Sequence, residues 1–429
     1  MPLLNPPQPV LEIARRLEDA GYEAWCVGGA LRDAILGHPH LDWDLATSAT
    51  PDQVREIFGK RRTIPVGIQF GTVGVLDAAG TLHEVTTFRR DVKTDGRHAE
   101  VEFGASLEED LARRDFTINA IAYSPARDEL RDPFHGRDDL ARRVVRAVGD
   151  ADARMREDRL RALRAIRFAA RFEFEIEQST LDAITRSAPH MNRLSPERVK
   201  QELEKTMEQV RRPSRALGLW KSTGVLATVI PELATISDTT IDALDCLAMP
   251  GTPGKSYRLL LRLALPFVEL GEERARAALT ALRFSNVEIR RIADLARAWT
   301  QIRPSILESV STTPSVPDAV IRRWVAAIGR LDIGPFMRLV TAVAKKGHGA
   351  AFVGARLHAL YRRMARVALR DPIAIADLAI DGDDMRIAGI PAGPWVGKIL
   401  KALLDVVLTD PARNDRDWLL QEARRLYTP

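Results

Sequence analysis

The sequence predicts an α+β protein in which a small mixed-sheet domain precedes a long and almost entirely helical remainder. Segments of strand character alternate with helical ones before Gly149, whereas apolar residues follow a helical period almost throughout from Ala151 onward. The chain has 429 residues, more than one typical hydrophobic core needs, so several domains are expected.

The composition favours a polyanionic partner. The net charge is +5, and arginine, which outnumbers lysine, makes bidentate contacts to phosphates and base edges. Two cysteines, Cys26 and Cys246, argue against a disulfide framework, and Cys26 in its apolar strand is expected to belong to the core. Residues 1–10 are proline-rich, unlike a signal peptide, and no segment is apolar enough to span a membrane. We therefore expect a cytoplasmic protein with no membrane contact.

A glycine pair marks the first candidate site. Residues 24–27 are expected to form a strand, Gly28 and Gly29 a tight turn, and residues 30–36 a helix. Unpaired N–H groups at a helix start attract anions, and Arg32 in the first turn adds a charge suited to phosphate oxygens. A Gly-Gly turn alone is more often only a turn. An anion site becomes the better interpretation because a pair of carboxylates comes soon after it in the chain.

Two aspartates complete this unit. Asp42 and Asp44 would share one face of a strand, with Leu41, Trp43 and Leu45 on the opposite, buried face. Paired carboxylates suit Mg²⁺, a hard cation that prefers oxygen ligands and often bridges to substrate phosphates. Such a pair is often only solvated surface, but the order and spacing of the two features favour phosphoryl or nucleotidyl transfer.

Two strands over 71–76 and 82–88 should come next. Glu84 on the second strand is a candidate third carboxylate if that strand lies beside the aspartates; a solvated strand residue is an equal alternative. The charged residues 89–104 show little periodicity and are expected to form a mobile loop. The other expected elements are helices over 9–20 and 50–58, a helix opened by a capping box at Ser106, a loop over 130–140, a strand over 143–148 and a linker over 303–317.

A basic segment carries the next chemical signal. Asp158, Arg161, Arg164 and Arg167 recur at helical spacing and are expected to form one stripe of a single helix over 157–167. Aspartate only accepts hydrogen bonds and arginine only donates them, so this pair would match the amino group and ring nitrogen of C and A and reject U and G. The alternative is a solvated basic helix face.

Several motifs together resemble the class II nucleotidyltransferases, which contain the tRNA CCA-adding enzymes and the bacterial poly(A) polymerases. The matching motifs are Gly28-Gly29-x-x-Arg32-Asp33, Asp42-x-Asp44, Arg113-Arg114-Asp115, residues 132–140, Glu157-Asp158-x-x-Arg161 and Ser195-x-Glu197-Arg198. The resemblance covers roughly the first half of the chain. It implies a polymerase-β-like nucleotidyltransferase head at 1–149, a helical neck with the base-reading helix at 150–210, and a tRNA-binding helical body and tail at 211–310 and 311–429.

The resemblance also implies a site and an activity. Mg²⁺ would bind at Asp42 and Asp44, and the loop over 89–104 would assist the change from C to A addition. The implied nucleotide contacts are Gly29, Arg32, Arg114, Asp158, Arg161, Arg164 and Arg167. The expected reaction adds C, C and A to tRNA from CTP and ATP, with no stable protein partner. A poly(A) polymerase or an A-adding enzyme is the alternative, and an RNA-binding protein with an inactive head is the non-enzymatic one.

Overall fold

The computed structural model describes residues 4–38, 43–94, 99–251, 254–312, 315–347 and 350–427. These residues form two compact units. The first comprises Met1–Thr206 and Val210–Pro231, and the second comprises Met207–Gln209 and Glu232–Pro429. The predicted boundaries after residues 149, 210 and 310 stay predictions.

The first unit contains a seven-stranded mixed sheet in the order β3-β4-β5-β2-β1-β8-β9. Its strands are β1 (Ala24–Val27), β2 (Asp44–Thr47), β3 (Thr63–Gly67), β4 (Thr72–Leu76), β5 (Leu82–Thr87), β8 (Ala122–Ser124) and β9 (Glu129–Arg131). Two further pairs are the antiparallel β6 (Arg89–Thr94) with β7 (Ala99–Phe103), and the parallel β10 (Val144–Val145) with β11 (Glu175–Ile176). Within the large sheet, β2 and β5 run parallel and the other pairs are antiparallel.

Helices pack around this sheet and continue beyond it. The helices that begin in the first unit are α1 (Gln8–Asp19), α2 (Gly29–Ile35), α3 (Pro51–Phe58), α4 (Leu107–Ala112), α5 (Gly136–Arg142), α6 (Ala151–Glu157), α7 (Leu160–Phe172), α8 (Gln178–Ser187), α9 (Pro196–Gln209), α10 (Pro213–Ser222) and α11 (Val225–Val229). Trp25, Val27 and Ala46 on the sheet pack with Phe88 and Leu111 in one buried cluster. This core fixes the strand ends that carry the candidate site.

In the residues that the model describes, the second unit contains helices and no strand. Its helices are α12 (Asp238–Ala243), α13 (Lys255–Val268), α14 (Glu272–Ala281), α15 (Asn286–Thr312), α16 (Asp318–Ile328), α17 (Ile333–Gly347), α18 (Ala350–Arg370), α19 (Gly382–Ile387), α20 (Pro394–Thr409) and α21 (Arg416–Leu426). Among the described helices, none combines the length and the apolar character needed to cross a membrane. The predicted order of a mixed-sheet head followed by helices is confirmed.

Two expected loops contain regular secondary structure instead. Residues 89–104 contain the β6–β7 hairpin rather than a loop, and its exposed Arg90 and Glu102 pair across the strands at 2.8 Å. The sequence of β7 does alternate apolar and charged residues, as Ala-Glu-Val-Glu-Phe, but five residues are too short a signal to stand out in a charged segment. Residues 130–140 contain part of β9 and most of α5. Asp132 accepts hydrogen bonds from the main-chain nitrogens of Gly136 and Arg137 at 2.7 and 3.0 Å and so stabilises the start of that helix.

The expected linker over 303–317 is also largely helical, because α15 runs to Thr312. Ile306 and Val310 lie four residues apart and are buried, so their packing outweighs the Pro304 that the helix contains. The last strand expected over 143–148 is reduced to Val144–Val145.

Candidate active site

A glycine turn lines a cavity in the first unit. Gly28 has φ 77°, in the left-handed region that favours glycine. A Cβ atom on Gly28 would lie 3.3 Å from Nη1 of Arg114, closer than most Cβ contacts, and at an ordinary contact distance of 3.6 Å from Oδ2 of Asp44. Gly29 begins α2, and the first main-chain N–H groups of a helix lack partners within the helix. Both glycines line a cavity of about 530 Å³.

Two carboxylates face this cavity from neighbouring strands. Leu45 on β2 pairs with Val85 on β5, so Asp44 and Glu84 occupy equivalent positions one residue earlier. Both are exposed and line the cavity, whereas the next residue of each strand, Leu45 or Val85, is buried. The strand that carries Glu84 therefore lies beside the strand that carries Asp44. This was the condition under which Glu84 is a candidate third carboxylate.

Asp42 lies outside the described residues. Among those described, no three acidic, histidine or cysteine side chains gather closely enough to hold a metal ion. The donor chemistry still fits Mg²⁺, because carboxylates on adjacent parallel strands offer hard oxygen ligands towards one space. Cys26 beneath them is buried, and this burial together with the Asp44 charge raises the pKa of its thiol to about 12, so it stays a core residue.

Arginines surround the carboxylates. Six of them are among the described residues that line the cavity: Arg32, Arg89, Arg113, Arg114, Arg164 and Arg171. Five of these side chains form ion pairs with aspartates that are largely buried. Such a layer fixes the guanidinium groups before a ligand arrives, which is the arrangement that stabilises charge most effectively.

Asp33 is the first of these aspartates. Its Oδ1 accepts from Nε and Nη2 of Arg32 at 2.8 and 2.7 Å, and its Oδ2 accepts from Arg171 at 3.2 Å. The Arg32 guanidinium also stacks on Phe168 and Phe172, at 5.0 and 4.6 Å from the ring centroids. Arg32 is therefore a rigid, buried part of the cavity wall rather than a mobile surface charge.

Asp110 holds the next pair. It accepts from Nε of Arg113 at 3.0 Å and from Nη2 of Arg114 at 3.2 Å. Burial alone would raise the pKa of the Asp110 carboxyl, but the two guanidinium charges hold it below its usual range. Nε of Arg114 is buried without a hydrogen-bond partner in the described structure. A buried donor in this state beside a cavity favours an anionic ligand.

Asp115 completes the layer. It accepts from Nε of Arg164 at 2.9 Å and from Nδ2 of Asn119 at 2.9 Å. Burial opposes ionisation of this carboxyl, but the Arg164 charge and these hydrogen bonds keep its pKa below the usual range. Arg164 in turn lies 5.3 Å from the centroid of the Phe168 ring.

Neither residue of the predicted base-reading pair is among the described residues that line the cavity. Arg161 donates to Glu157 at 2.7 Å and to the main-chain oxygen of Arg113, a lining residue, at 3.0 Å. Asp158 accepts from Arg198 at 2.7 Å. The predicted single helix is wrong, because α6 ends at Glu157 and Asp158 is extended before α7 begins.

Arg167, at the other end of the predicted stripe, lies on α7 as expected, and its nucleotide contact stays a prediction. Arg167 is buried and donates to the buried Glu202 at 2.7 Å, and it is absent from the described lining of the cavity. A buried ion pair of this kind is a structural element, since removing one partner leaves an uncompensated charge. A nucleotide contact by Arg167 would require this pair to open.

Several cavity residues were not predicted from the sequence. Phe168 and Arg171 line the cavity, and they follow Arg164 by four and seven residues on α7, so helical spacing alone could have found them. Asn119 also lines it, although it lies five residues after Arg114 on a short 3₁₀ helix that gives no periodic signal.

The fold and cavity of the first unit are those of a nucleotidyltransferase. A family model described as Poly A polymerase head domain matches residues 24–146, and one described as Probable RNA and SrmB- binding site of polymerase A matches residues 173–236. A CCA-adding enzyme of Geobacillus kaustophilus (strain HTA426) is 35% identical over 98% of this chain and 98% of that protein. A CCA-adding enzyme of Limosilactobacillus reuteri (strain DSM 20016) is 32% identical over 99% of this chain and 97% of that protein.

A solved structure gives the same result. The crystal structure of the Bacillus stearothermophilus CCA-adding enzyme in complex with CTP is similar with a TM-score of 0.73 and 33% identity, covering 97% of this chain and 98% of that one. The chain belongs to the family of CCA-adding enzymes. Enzymes of this family are generally metal-dependent.

Proposed function

We propose that this protein adds C, C and A in turn to the 3′ end of tRNA, using CTP and ATP and releasing pyrophosphate. One observation carries the proposal: the glycine turn, the carboxylates Asp44 and Glu84, and the set of six arginines meet at a single cavity. The relatives that match this chain over nearly their whole length are named for this activity, and the Bacillus stearothermophilus enzyme was crystallised with CTP. A cytoplasmic location, where tRNA is processed, is part of the proposal.

Each group has a separate task. The Gly28–Gly29 turn lets phosphate oxygens approach the main chain, and Arg32, Arg114 and Arg164 neutralise their charge. Asp44 and Glu84, with Asp42, would hold Mg²⁺. When bound, the metal would neutralise triphosphate charge and polarise the attacking 3′-hydroxyl. The protein itself supplies position and electrostatic complementarity.

Supplying each nucleoside triphosphate on its own distinguishes the candidate activities. With Mg²⁺ and tRNA that ends after C-C, ATP should add a single A, and tRNA that ends before the first C should accept CTP but not ATP. A long A tract from ATP alone would instead identify a poly(A) polymerase. Failure to use CTP, with A still added after C-C, would identify an A-adding enzyme. No incorporation at all would leave an RNA-binding protein.

The second unit offers a surface for the tRNA. A cavity of about 780 Å³ there is lined by Arg258, Arg338, Lys345 and His358, and no carboxylate is among its described lining residues. Arg338 donates to the Tyr257 hydroxyl at 2.6 Å, which fixes its guanidinium. A fixed cationic hollow of this kind suits backbone phosphates, which position RNA without reading its sequence.

Replacing Arg338 with glutamine should weaken tRNA binding several-fold in low salt. One lost phosphate contact should also lower the slope of log affinity against log salt by about one. Fluorescence anisotropy over a salt series measures both, and Arg386→Gln is the control, since Arg386 is exposed and paired with Asp383 outside this cavity. Equal slopes for the two variants would remove the cavity from the RNA-binding surface.

Shortening the β6–β7 hairpin should impair A addition more than C addition. The expectation comes from the family resemblance, and the hairpin begins at Arg89, whose side chain lines the cavity. The experiment deletes residues 95–98 and measures kcat/KM for CTP on tRNA ending before C and for ATP on tRNA ending after C-C. Deleting the turn residues Ala79 and Gly80 between β4 and β5 is the control. Equal loss of both activities would mean that the hairpin is only structural.

A further inference from the structure

Asn119 connects arginines that reach the cavity from three different segments. It ends the 3₁₀ helix Thr117–Asn119, is 7% exposed, and lines the cavity. Its Oδ1 accepts from Nη1 of Arg32 at 2.6 Å, and its Nδ2 donates to Oδ1 of Asp115 at 2.9 Å. The other Asp115 oxygen accepts from Nε of Arg164 at 2.9 Å. A continuous chain of hydrogen bonds therefore runs from Arg32 through one amide to Arg164.

The main chain of Asn119 takes part as well. Its carbonyl oxygen lies 3.4 Å from Nη1 of Arg114, the arginine whose Nε is buried without a partner in the described structure. The 3₁₀ helix itself is held tightly, because a Cβ atom on Gly136 of α5 would lie only 2.1 Å from the main-chain oxygen of Thr117. Asn119 is therefore held in place, and its hydrogen bonds orient Arg32 and Arg114 directly and Arg164 through Asp115.

The uncharged amide of Asn119 satisfies both neighbours. Arginine can only donate and an ionised aspartate can only accept, so the residue between them must present one acceptor and one donor. These partners also fix the orientation of the amide. A carboxylate at position 119 would accept from Arg32 but face the Asp115 carboxylate, and an apolar side chain would leave both groups unsatisfied.

We propose that Asn119 is a positioning residue that sets the spacing of Arg32 and Arg164, so that both guanidinium groups meet the triphosphate of one nucleotide. The proposal rests on the proposed nucleotidyl transfer. Arg32 and Arg164 lie 5.0 and 5.3 Å from the centroid of the same Phe168 ring, so both guanidinium groups pack against one side chain. The Asn119 amide, bonded to Arg32 directly and linked to Arg164 through Asp115, limits how far the two groups can move apart. Because every nucleoside triphosphate carries the same phosphates, Asn119 serves CTP and ATP equally and takes no part in base choice.

Asn119→Ala should raise KM for CTP and for ATP by about tenfold each, the scale of losing hydrogen bonds to charged groups, while kcat falls less. The preference for C and A over U and G should not change. Thr117→Val is the matched control, because Thr117 is buried on the same 3₁₀ helix but donates to Asp139 at 2.7 Å, away from the cavity arginines. It should lower the melting temperature comparably and leave both KM values unchanged.

A double-mutant cycle tests the route through Arg32. If Asn119 acts by holding Arg32, Asn119→Ala should raise KM far less in an Arg32→Ala background than in the wild type. The same factor in both backgrounds, or a KM change in Thr117→Val that matches Asn119→Ala, would overturn the proposal. Asn119→Asp with wild-type KM values would overturn it too. These outcomes are distinct from failure of the proposed function, in which the wild-type protein itself would add no nucleotide.

Discussion

Asp44→Asn should abolish addition of both C and A and leave tRNA affinity within about twofold of the wild type. The substitution keeps the size of the side chain but removes a charged oxygen ligand from the strand end that faces the cavity. Two-metal transfer needs that charge at the reacting phosphate, so we expect a fall of at least about a thousandfold in kcat, on the scale seen when a dominant electrostatic group is lost. Single-turnover incorporation with saturating tRNA measures it.

Two other substitutions make the result specific. Glu84→Gln should reduce both additions if Glu84 is a third carboxylate of the metal site, and should change neither if it is a solvated strand residue. Asp52→Asn is the control, because Asp52 is an exposed carboxylate on α3 that does not line the described cavity. Substantial Mg²⁺-dependent transfer by Asp44→Asn would remove Asp44 from the metal site.

The second large effect concerns base choice. Asp158→Ala and Arg161→Ala should each relax the preference for C and A over U and G by roughly ten- to a hundredfold, the discrimination that a good bidentate contact provides. Both side chains have protein partners in this structure, yet an ionised carboxylate has about four acceptor sites and a guanidinium has five donors. The Arg198 and Glu157 contacts therefore leave capacity for a base edge.

Relative kcat/KM values for the four nucleoside triphosphates measure this preference on tRNA ending before C and after C-C. The matched control is the exposed Asp152–Arg186 pair, which has the same chemistry at 2.8 Å but lies outside the described cavity lining. Alanine variants of that pair should keep wild-type selectivity. If Asp158→Ala and Arg161→Ala also keep it and lose only overall rate, this segment is a phosphate clamp or a scaffold.

The sequence predicted features that depend on neighbours along the chain. Gly28 and Gly29 predicted the turn, and strand period predicted one exposed face for Asp42 with Asp44 and another for Glu84, because period and turn chemistry are local properties. Asp44 and Glu84 are forty residues apart in the sequence, and the pairing of β2 with β5 brings them together. The sequence alone could not show which strands are neighbours, so the role of Glu84 depended on that pairing.

The structure departs from the sequence-based predictions where contacts between distant residues determine the surroundings of a side chain. Helical spacing alone placed Arg164 and Arg167 in one functional stripe. In the structure, Arg164 pairs with Asp115 at the cavity, whereas Arg167 forms a buried ion pair with Glu202. Asn119 gave no sequence signal, because its role comes from contacts 87 residues away at Arg32. Buried partners of this kind are invisible to periodicity, and they explain why the arginines are more ordered than a basic sequence implies.

The mass of the product tests the central claim most directly. The protein is incubated with Mg²⁺, tRNA that ends before the first C, and all four nucleoside triphosphates at equal concentration, and the extended tRNA is then measured by mass spectrometry. The account predicts one dominant product, longer by C, C and A, which does not grow further with time. A ladder of A additions, or incorporation of U and G at rates comparable to C and A, would contradict it.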